Sequence, residues 1–257
     1  KLSDYTALKV NFTYGRLKGD DKLTQEQFRR NRNLIFRAPL VEFATTFEFS
    51  LRRETVGSKY QLRRIKGRGK KSNDIYSYGF VGIGVFWFNP RGRIYDYATG
   101  KRTGPWYSLQ PLHTEGQTLV PTRKKYNRVV ISLPIGIGAR YRINTLQSLG
   151  FEFGIRKTFT DYIDDVSTTY FSGAILKQQA AGSPAAELAD PSLYKSGLNS
   201  MPNGPKNVIY GDSPYGTGCQ TCPGEQRGDP TDNDSYMFMQ ITWSYKLKST
   251  RKGLPKF

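Results

Sequence analysis

Six segments of the chain alternate apolar residues with polar or small residues at a period of two, and several are longer than an ordinary soluble strand. Such segments predict β-strands with one apolar and one polar face. The segment 128–142 shows the pattern most cleanly: Ile131 and Ile135 share one parity, Gly136 and Arg140 the other. No comparably strong amphipathic helix is present, so the sequence predicts an all-β fold. The six segments are residues 8–14, 41–51, 76–88, 128–142, 149–156 and 237–247.

The period defines two faces of each strand but not which face meets water. A soluble sandwich or a lipocalin-like barrel would turn the apolar face inward, whereas a membrane-spanning barrel turns it outward. Two features favour the membrane barrel. Glycines and charges share one face, as in a narrow polar lumen, and aromatic residues stand near strand ends, as in the girdles of membrane barrels. These aromatic residues are Tyr14, Tyr76, Phe88, Tyr141, Trp243 and Tyr245.

The composition excludes several other classes of protein. The 257 residues contain no run near the roughly 18 apolar residues of a membrane-spanning helix. Two cysteines and one histidine are too few for a four-ligand zinc site built from thiolates and imidazoles. The 39 Lys and Arg residues outnumber the 21 Asp and Glu residues, so the partners of this chain are expected to be acidic.

Connection lengths predict the topology. The single short connection, 144–148, is expected in the periplasm, where the turns of bacterial barrels are short. Alternation then places 15–37, 89–127 and 158–234 outside the cell. It also places 52–75 and the C-terminal tail in the periplasm.

Positive charge concentrates on that periplasmic side. Segment 52–75 has nine Lys and Arg against two acids, and residues 246–257 have five and no acid. A one-sided field orients an oppositely charged surface, so an acidic periplasmic partner is expected. The predicted partner-binding residues are Arg63, Arg64, Lys66, Arg68, Lys70, Lys71, Lys248, Arg251 and Lys252.

Six strands are fewer than the eight of the smallest single-chain outer-membrane barrels. Because Lys1 to Thr6 reads like the end of a turn, we expect two N-terminal strands to be missing from the sequence as given. The predicted domain organisation is a barrel over 1–247, with a long inserted loop at 158–234, and a basic tail over 248–257.

The densest polar constellation follows the fifth segment. Asp161, Asp164 and Asp165 could bind a cation or act as paired carboxylates. The favoured interpretation is structural: they pair with Arg156, Lys157 and other arginines of the lumen, and so brace the junction between strand and loop.

Three further features have both a functional and a structural interpretation. Cys219 and Cys222 lie among glycines rather than at a helix N-terminus, which favours a structural disulfide or two idle thiols over a redox pair. His113 could be the base of a lipid hydrolase, but a single histidine in a long loop is weak support. The basic run could bind nucleic acid, yet that would not explain the long two-faced strands, so no nucleic acid is expected.

Residues 151–170, FEFGIRKTFTDYIDDVSTTY, resemble the signature of the PorG-like outer-membrane proteins of the Bacteroidetes type IX secretion system, which also serves gliding motility. Segments 80–90, 109–117 and 134–138 support the resemblance. It implies an eight-stranded barrel that couples a periplasmic ring of lipoprotein and ring-forming subunits to the outer membrane, without catalysis or cofactor. The residues of the structural motif are Arg156, Lys157, Asp161, Tyr162, Asp164 and Asp165.

The sequence therefore predicts a non-catalytic outer-membrane scaffold in protein secretion, in contact with ring subunits and with outer-membrane lipid or lipopolysaccharide. Two alternatives stay open at this point: a small barrel enzyme acting on lipid through His113, and a generic structural barrel without a fixed partner.

Overall fold

The computed structural model describes residues 2–3, 5–50, 75–143, 146–179, 182–193 and 219–245. Six long strands follow the six alternating segments, and a short hairpin lies between the third and the fourth of them. The expectation of a predominantly antiparallel all-β fold is confirmed. The strands are β1 (Thr6–Asp20), β2 (Ile35–Ser50), β3 (Ile75–Phe88), β4 (Arg91–Asp96), β5 (Lys101–Ser108), β6 (Val129–Arg142), β7 (Gln147–Thr158) and β8 (Ser235–Tyr245).

The long strands form one antiparallel sheet in the order β1-β2-β3-β6-β7-β8. Strand β4 follows β3 after Asn89 and Pro90 and pairs with β2 where Arg91 lies opposite Arg37. Strand β5 folds back on β4. This hairpin lies within 89–127, which the sequence pattern predicts as a loop.

The sheet has two unequal ends. Neighbouring long strands run antiparallel, so their connections alternate between those ends. One end, called the loop end, carries residues 21–34, 89–128 and 159–234. The other, called the turn end, carries the short connection 143–146, and it is where β2 ends, β3 begins and β8 ends.

In the described residues, three short α-helices lie in the loop-end connections, namely α1 (Gln27–Arg32), α2 (Gly173–Gln179) and α3 (Ala185–Ala189). Helix α1 ends at Asn33, whose left-handed backbone (φ 54°) returns its N–H to the Arg29 carbonyl. In the part of the chain that the structure describes, no helix has the length and apolar character needed to cross a membrane.

The two faces of the sheet differ sharply in chemistry. On the convex face large apolar side chains stand exposed, such as Phe12 at 75% and Ile241 at 77% of their accessible surface. On the concave face Glu42 and Glu152 are buried. The apolar parity of the strands is therefore the outer one, and the polar parity is the inner one.

Contacts between distant strands show strong curvature. Glu42 of β2 pairs with Arg156 of β7, although β3 and β6 separate these strands in the sheet. Lys9 of β1 likewise reaches Glu152 of β7. The sheet nevertheless does not close into a barrel in the described residues, where β1 pairs with β2 alone and β8 with β7 alone.

Glycines of β6 leave space for large inward side chains of its neighbour β3. A Cβ atom on Gly136 would lie 2.4 Å from the Phe80 ring, and one on Gly138 would lie 2.4 Å from the Tyr78 ring. Since real Cβ atoms do not approach so closely, both rings depend on these glycines. The glycines that share a face with charges are thus explained by the packing of the interior.

An apolar cluster closes the interior toward the loop end. It contains Ala38, Leu40, Phe86, Phe88, Tyr126 and Ile163. Phe88 is fully buried there. Its predicted place in an outward aromatic girdle is therefore wrong, because its parity on β3 is the inner one, and the same correction applies to Tyr76, which shares that parity.

Candidate functional site

One group of buried polar contacts in the interior is centred on Glu42. The Arg156 Nε atom lies 3.1 and 3.0 Å from its two carboxylate oxygens. Ser132 and Tyr236 donate to its Oε1 atom at 2.8 and 3.3 Å. Both charged side chains are at most 4% exposed. A buried ion pair with additional donors is the arrangement that offsets the cost of removing charge from water.

A second group of contacts surrounds Glu152. It accepts from the Lys9 ammonium at 2.5 Å, the Tyr78 hydroxyl at 2.6 Å and the Gln240 amide at 2.6 Å. These partners come from β1, β3 and β8, so side chains meet across the full width of the interior. At this level the interior is occupied by protein.

The loop end contains a second charged centre, built from loops. Arg227 and Glu115 form an ion pair at 2.8 Å, and both side chains are only 1% exposed. Glu115 also accepts from the backbone N–H groups of Ser167 and Thr168 and from the Thr168 hydroxyl. The pair thereby joins connection 89–128 to both ends of connection 159–234.

Asp165 occupies the middle of this centre. It accepts hydrogen bonds from the hydroxyl groups of Thr114 and Tyr126. Its backbone carbonyl accepts from Arg227 at 2.6 Å, and its backbone is left-handed, with φ 67°. Burial raises the pKa of Asp165 to about 6, although nearby Arg227 acts in the opposite direction.

Two neighbouring aspartates also favour their protonated forms. Burial, reinforced by Asp234, raises the pKa of Asp164 to about 8. Burial raises the pKa of Asp161 to about 7. Asp164 accepts from the Val166 backbone N–H at 3.0 Å. The Oδ2 atom of Asp161 is buried without a hydrogen-bond partner in the described residues, and Asp164 lines a cavity together with Arg32 and Arg227.

The structure brings together part of the predicted structural motif. Tyr162 stacks on Tyr126 with 4.5 Å between ring centroids, within the loop-end centre. Arg156 turns into the interior toward Glu42, and Lys157 lies at the surface 4.0 Å from Asp232. The partners of Asp165 are thus Thr114, Tyr126 and Arg227. Sequence reasoning missed Glu115, Tyr126 and Arg227, because their side chains come from loops distant along the chain and follow no period.

The other candidate residues have simple surroundings. Cys219 and Cys222 are joined in a disulfide. The Nδ1 atom of His113 is buried without a hydrogen-bond partner in the described part of the chain. No group of three or more His, Cys, Asp or Glu side chains is placed to hold a metal ion within the described ranges.

The predicted partner-binding residues lie outside the described residues. They are Arg63, Arg64, Lys66, Arg68, Lys70, Lys71, Lys248, Arg251 and Lys252. Their segments leave the sheet at the turn end, because β2 ends there, β3 begins there and β8 ends there.

Comparison with known proteins adds no family assignment. No family model matches the chain, no curated protein is detectably similar to it, and no solved structure matches it. The similarity to PorG-like proteins therefore stays a prediction.

Proposed function

We propose that this chain is an outer-membrane β-barrel that acts as a non-catalytic scaffold in protein secretion of the type IX kind. The observation that carries the proposal is that polarity is distributed in the opposite way to a soluble domain. Apolar side chains are exposed on the convex face, while charged side chains are buried on the concave face. Water would penalise so large an exposed apolar band, whereas hydrocarbon would accept it.

The interior supports an anchor rather than an export channel. Glu42, Glu152 and their partners make direct contacts between strands on opposite sides of the sheet. A barrel of about eight strands has an interior that side chains just fill. A folded polypeptide would not fit through such an interior.

Membrane insertion sets a condition on the two outer edges of the sheet. Unpaired backbone groups cost several kcal/mol each in hydrocarbon, so spanning sheets are closed. The proposal therefore requires that the outer edges of β1 and β8 be paired in the membrane, as in the closed barrel that the sequence pattern predicts.

As a scaffold, the protein would bind its periplasmic partners at the turn end of the sheet. The basic segments 51–74 and 246–257 leave the sheet there, and their charge suits an acidic periplasmic surface. Ring-forming and lipoprotein subunits of the secretion machinery are the proposed partners. The loop end, with its braced connections, would face the cell exterior.

Cross-linking mass spectrometry on intact outer membranes tests this assignment. We expect Lys66, Lys70, Lys71, Lys248 and Lys252 to form reproducible links to periplasmic ring subunits. Lys101 and Lys125 of the loop end are the matched controls and should form none. Links from the loop-end lysines to the ring, or no links from the turn-end lysines while the protein remains in the membrane, would contradict the scaffold role.

A further inference from the structure

A row of three cations crosses adjacent strands near the loop end. Lys18 of β1 lies directly opposite Arg37 of β2, and Arg37 lies directly opposite Arg91 of β4. Directly opposed side chains share a face, with Cβ atoms about 4.5–5.5 Å apart, and like charges so placed repel each other. The row is therefore a local electrostatic cost to the sheet that a bound anion would remove.

No carboxylate in the described residues forms an ion pair with this row. The Nε atom of Arg37 is buried without any hydrogen-bond partner there. Asp20, which lines the same groove, accepts from the Lys22 backbone N–H at 3.0 Å and caps a short 3₁₀ turn. Among the described residues, no carboxylate therefore compensates the positive charge of the row, which leaves it able to bind an anion.

An apolar groove of about 390 Å³ adjoins the row. Lys18 and Arg37 line it together with Leu23, Phe36 and Trp106. Leu23 is 85% exposed, and Trp106 lies beneath the Arg37 guanidinium at 5.3 Å. A ligand that fits both parts has a negative head and an apolar tail.

The order of residues along the outer parity of β1 gives the depth of the row. Leu8, Val10 and Phe12 come first, Tyr14 follows, and then Arg16 and Lys18. Apolar, aromatic and basic side chains in that order match the hydrocarbon, the interface and the headgroup layer of a bilayer leaflet. The row therefore lies at headgroup depth on the loop-end side.

We propose that Lys18, Arg37 and Arg91 bind the phosphate groups of an anionic glycolipid in the outer leaflet, with part of an acyl chain in the groove beside Trp106. This inference rests on the proposed function, because it needs the sheet to stand in a membrane with the loop end outward. Basic side chains at headgroup depth attract anionic lipid, and a groove adds selectivity for the attached chain.

The test uses the full chain in phosphatidylcholine nanodiscs, titrated with bisphosphorylated lipid A and followed by native mass spectrometry. Lys18→Gln and Arg37→Gln should each weaken lipid A binding about fivefold, in line with the contribution of one cation near a charged surface. Arg37→Lys keeps the charge and should retain most of the binding. Lys101→Gln, an exposed cation outside the row, is the matched control and should bind like the unmodified chain.

The outcomes separate this inference from the function on which it rests. If the chain inserts but neither glutamine variant weakens binding, or Lys101→Gln weakens it equally, the lipid site is wrong and the scaffold proposal stands. Displacement of lipid A by an equal concentration of inorganic phosphate would identify a free-phosphate site and overturn the lipid assignment. If the chain does not insert into the nanodiscs, both proposals fail.

Discussion

Arg227 illustrates how one side chain fixes a long connection. Its guanidinium donates to Glu115, to the Asp165 carbonyl and to the Ala189 carbonyl, so three separate loop segments meet at one group. A buried guanidinium without such partners would be strongly unfavourable. The sequence offers no sign of this arrangement, since Arg227 and Glu115 are separated by 112 positions and neither belongs to a periodic segment.

Asp164 makes the loop end sensitive to pH. An unfolded aspartate titrates near about 3.9, whereas burial raises the pKa of Asp164 to about 8. Between these values the folded loop holds a proton that the unfolded loop has lost, so the stability of the loop falls as pH rises from about 4 to about 8. We expect hydrogen exchange at the Val166 amide to show progressively easier opening over this range.

Asp164→Asn should reduce that pH dependence while leaving an oxygen to accept from Val166. Asp161 and Asp165 also have raised pKa values, so part of the dependence should persist. Asp232→Asn, at a side chain 82% exposed, is the control and should keep the full dependence. Equal dependence in both variants would show that Asp164 is not the titrating group.

At the scale of elements, strand periodicity was sufficient to predict which residues share a face of the sheet and insufficient to predict the loops. The parity of Ile131 and Ile135 is outward and that of Ser132 is inward, as the alternation indicates. Phe86 and Phe88 are apolar but point inward, because an apolar cluster fills the interior near the loop end. In β3 both parities are apolar, so the pattern alone could not distinguish a core phenylalanine from a girdle residue.

The sequence pattern did not predict the hairpin β4–β5 or the C-terminal end of β1 for a different reason. The end of β1 alternates Arg16 and Lys18 with Leu17 and Gly19, and the hairpin strands, RGRIYD and KRTGPWYS, mix basic, small and aromatic residues without alternation. Neither stretch has the apolar face by which a strand is usually detected. The end of β1 is a strand because it pairs with β2, and β4 and β5 are strands because they pair with each other, with β4 joined to β2 at Arg91 and Arg37.

Ile135→Arg tests whether the outer face of the central strand β6 meets hydrocarbon. Ile135 is 53% exposed near the middle of the strand, and Tyr141, on the same parity, is 51% exposed near its end. In a bilayer an arginine at the midplane costs about 2–4 kcal/mol, against about 0–1 kcal/mol near the interface. We expect Ile135→Arg to lower the free energy of unfolding in lipid vesicles by the larger amount and Tyr141→Arg by the smaller.

Urea unfolding of the vesicle-inserted protein, followed by tryptophan fluorescence, supplies both values. In water the two substitutions would alter side chains of similar exposure and so have similar small effects. A small and equal cost for both variants in vesicles would mean that this face does not lie in hydrocarbon.

At the scale of the whole molecule, the two ends of the sheet differ in structure. The loop end holds ion pairs and stacked aromatic rings that fix long connections, such as the Glu115–Arg227 pair and the Tyr126–Tyr162 stack. The turn end is short in its described connection and is the point from which the basic segments 51–74 and 246–257 depart. If the basic segments bind a periplasmic partner, as proposed, the turn end must face the periplasm.

Single cysteines at the two ends decide this orientation. Thr103→Cys places a thiol on the exposed hairpin of the loop end, and Ile143→Cys places one at the turn end, at a side chain 52% exposed. The disulfide between Cys219 and Cys222 leaves no competing free thiol. A membrane-impermeant maleimide should label Thr103→Cys on intact cells and Ile143→Cys only after the outer membrane is permeabilised. The reverse pattern would put the basic segments on the cell surface, where they could not dock a periplasmic ring.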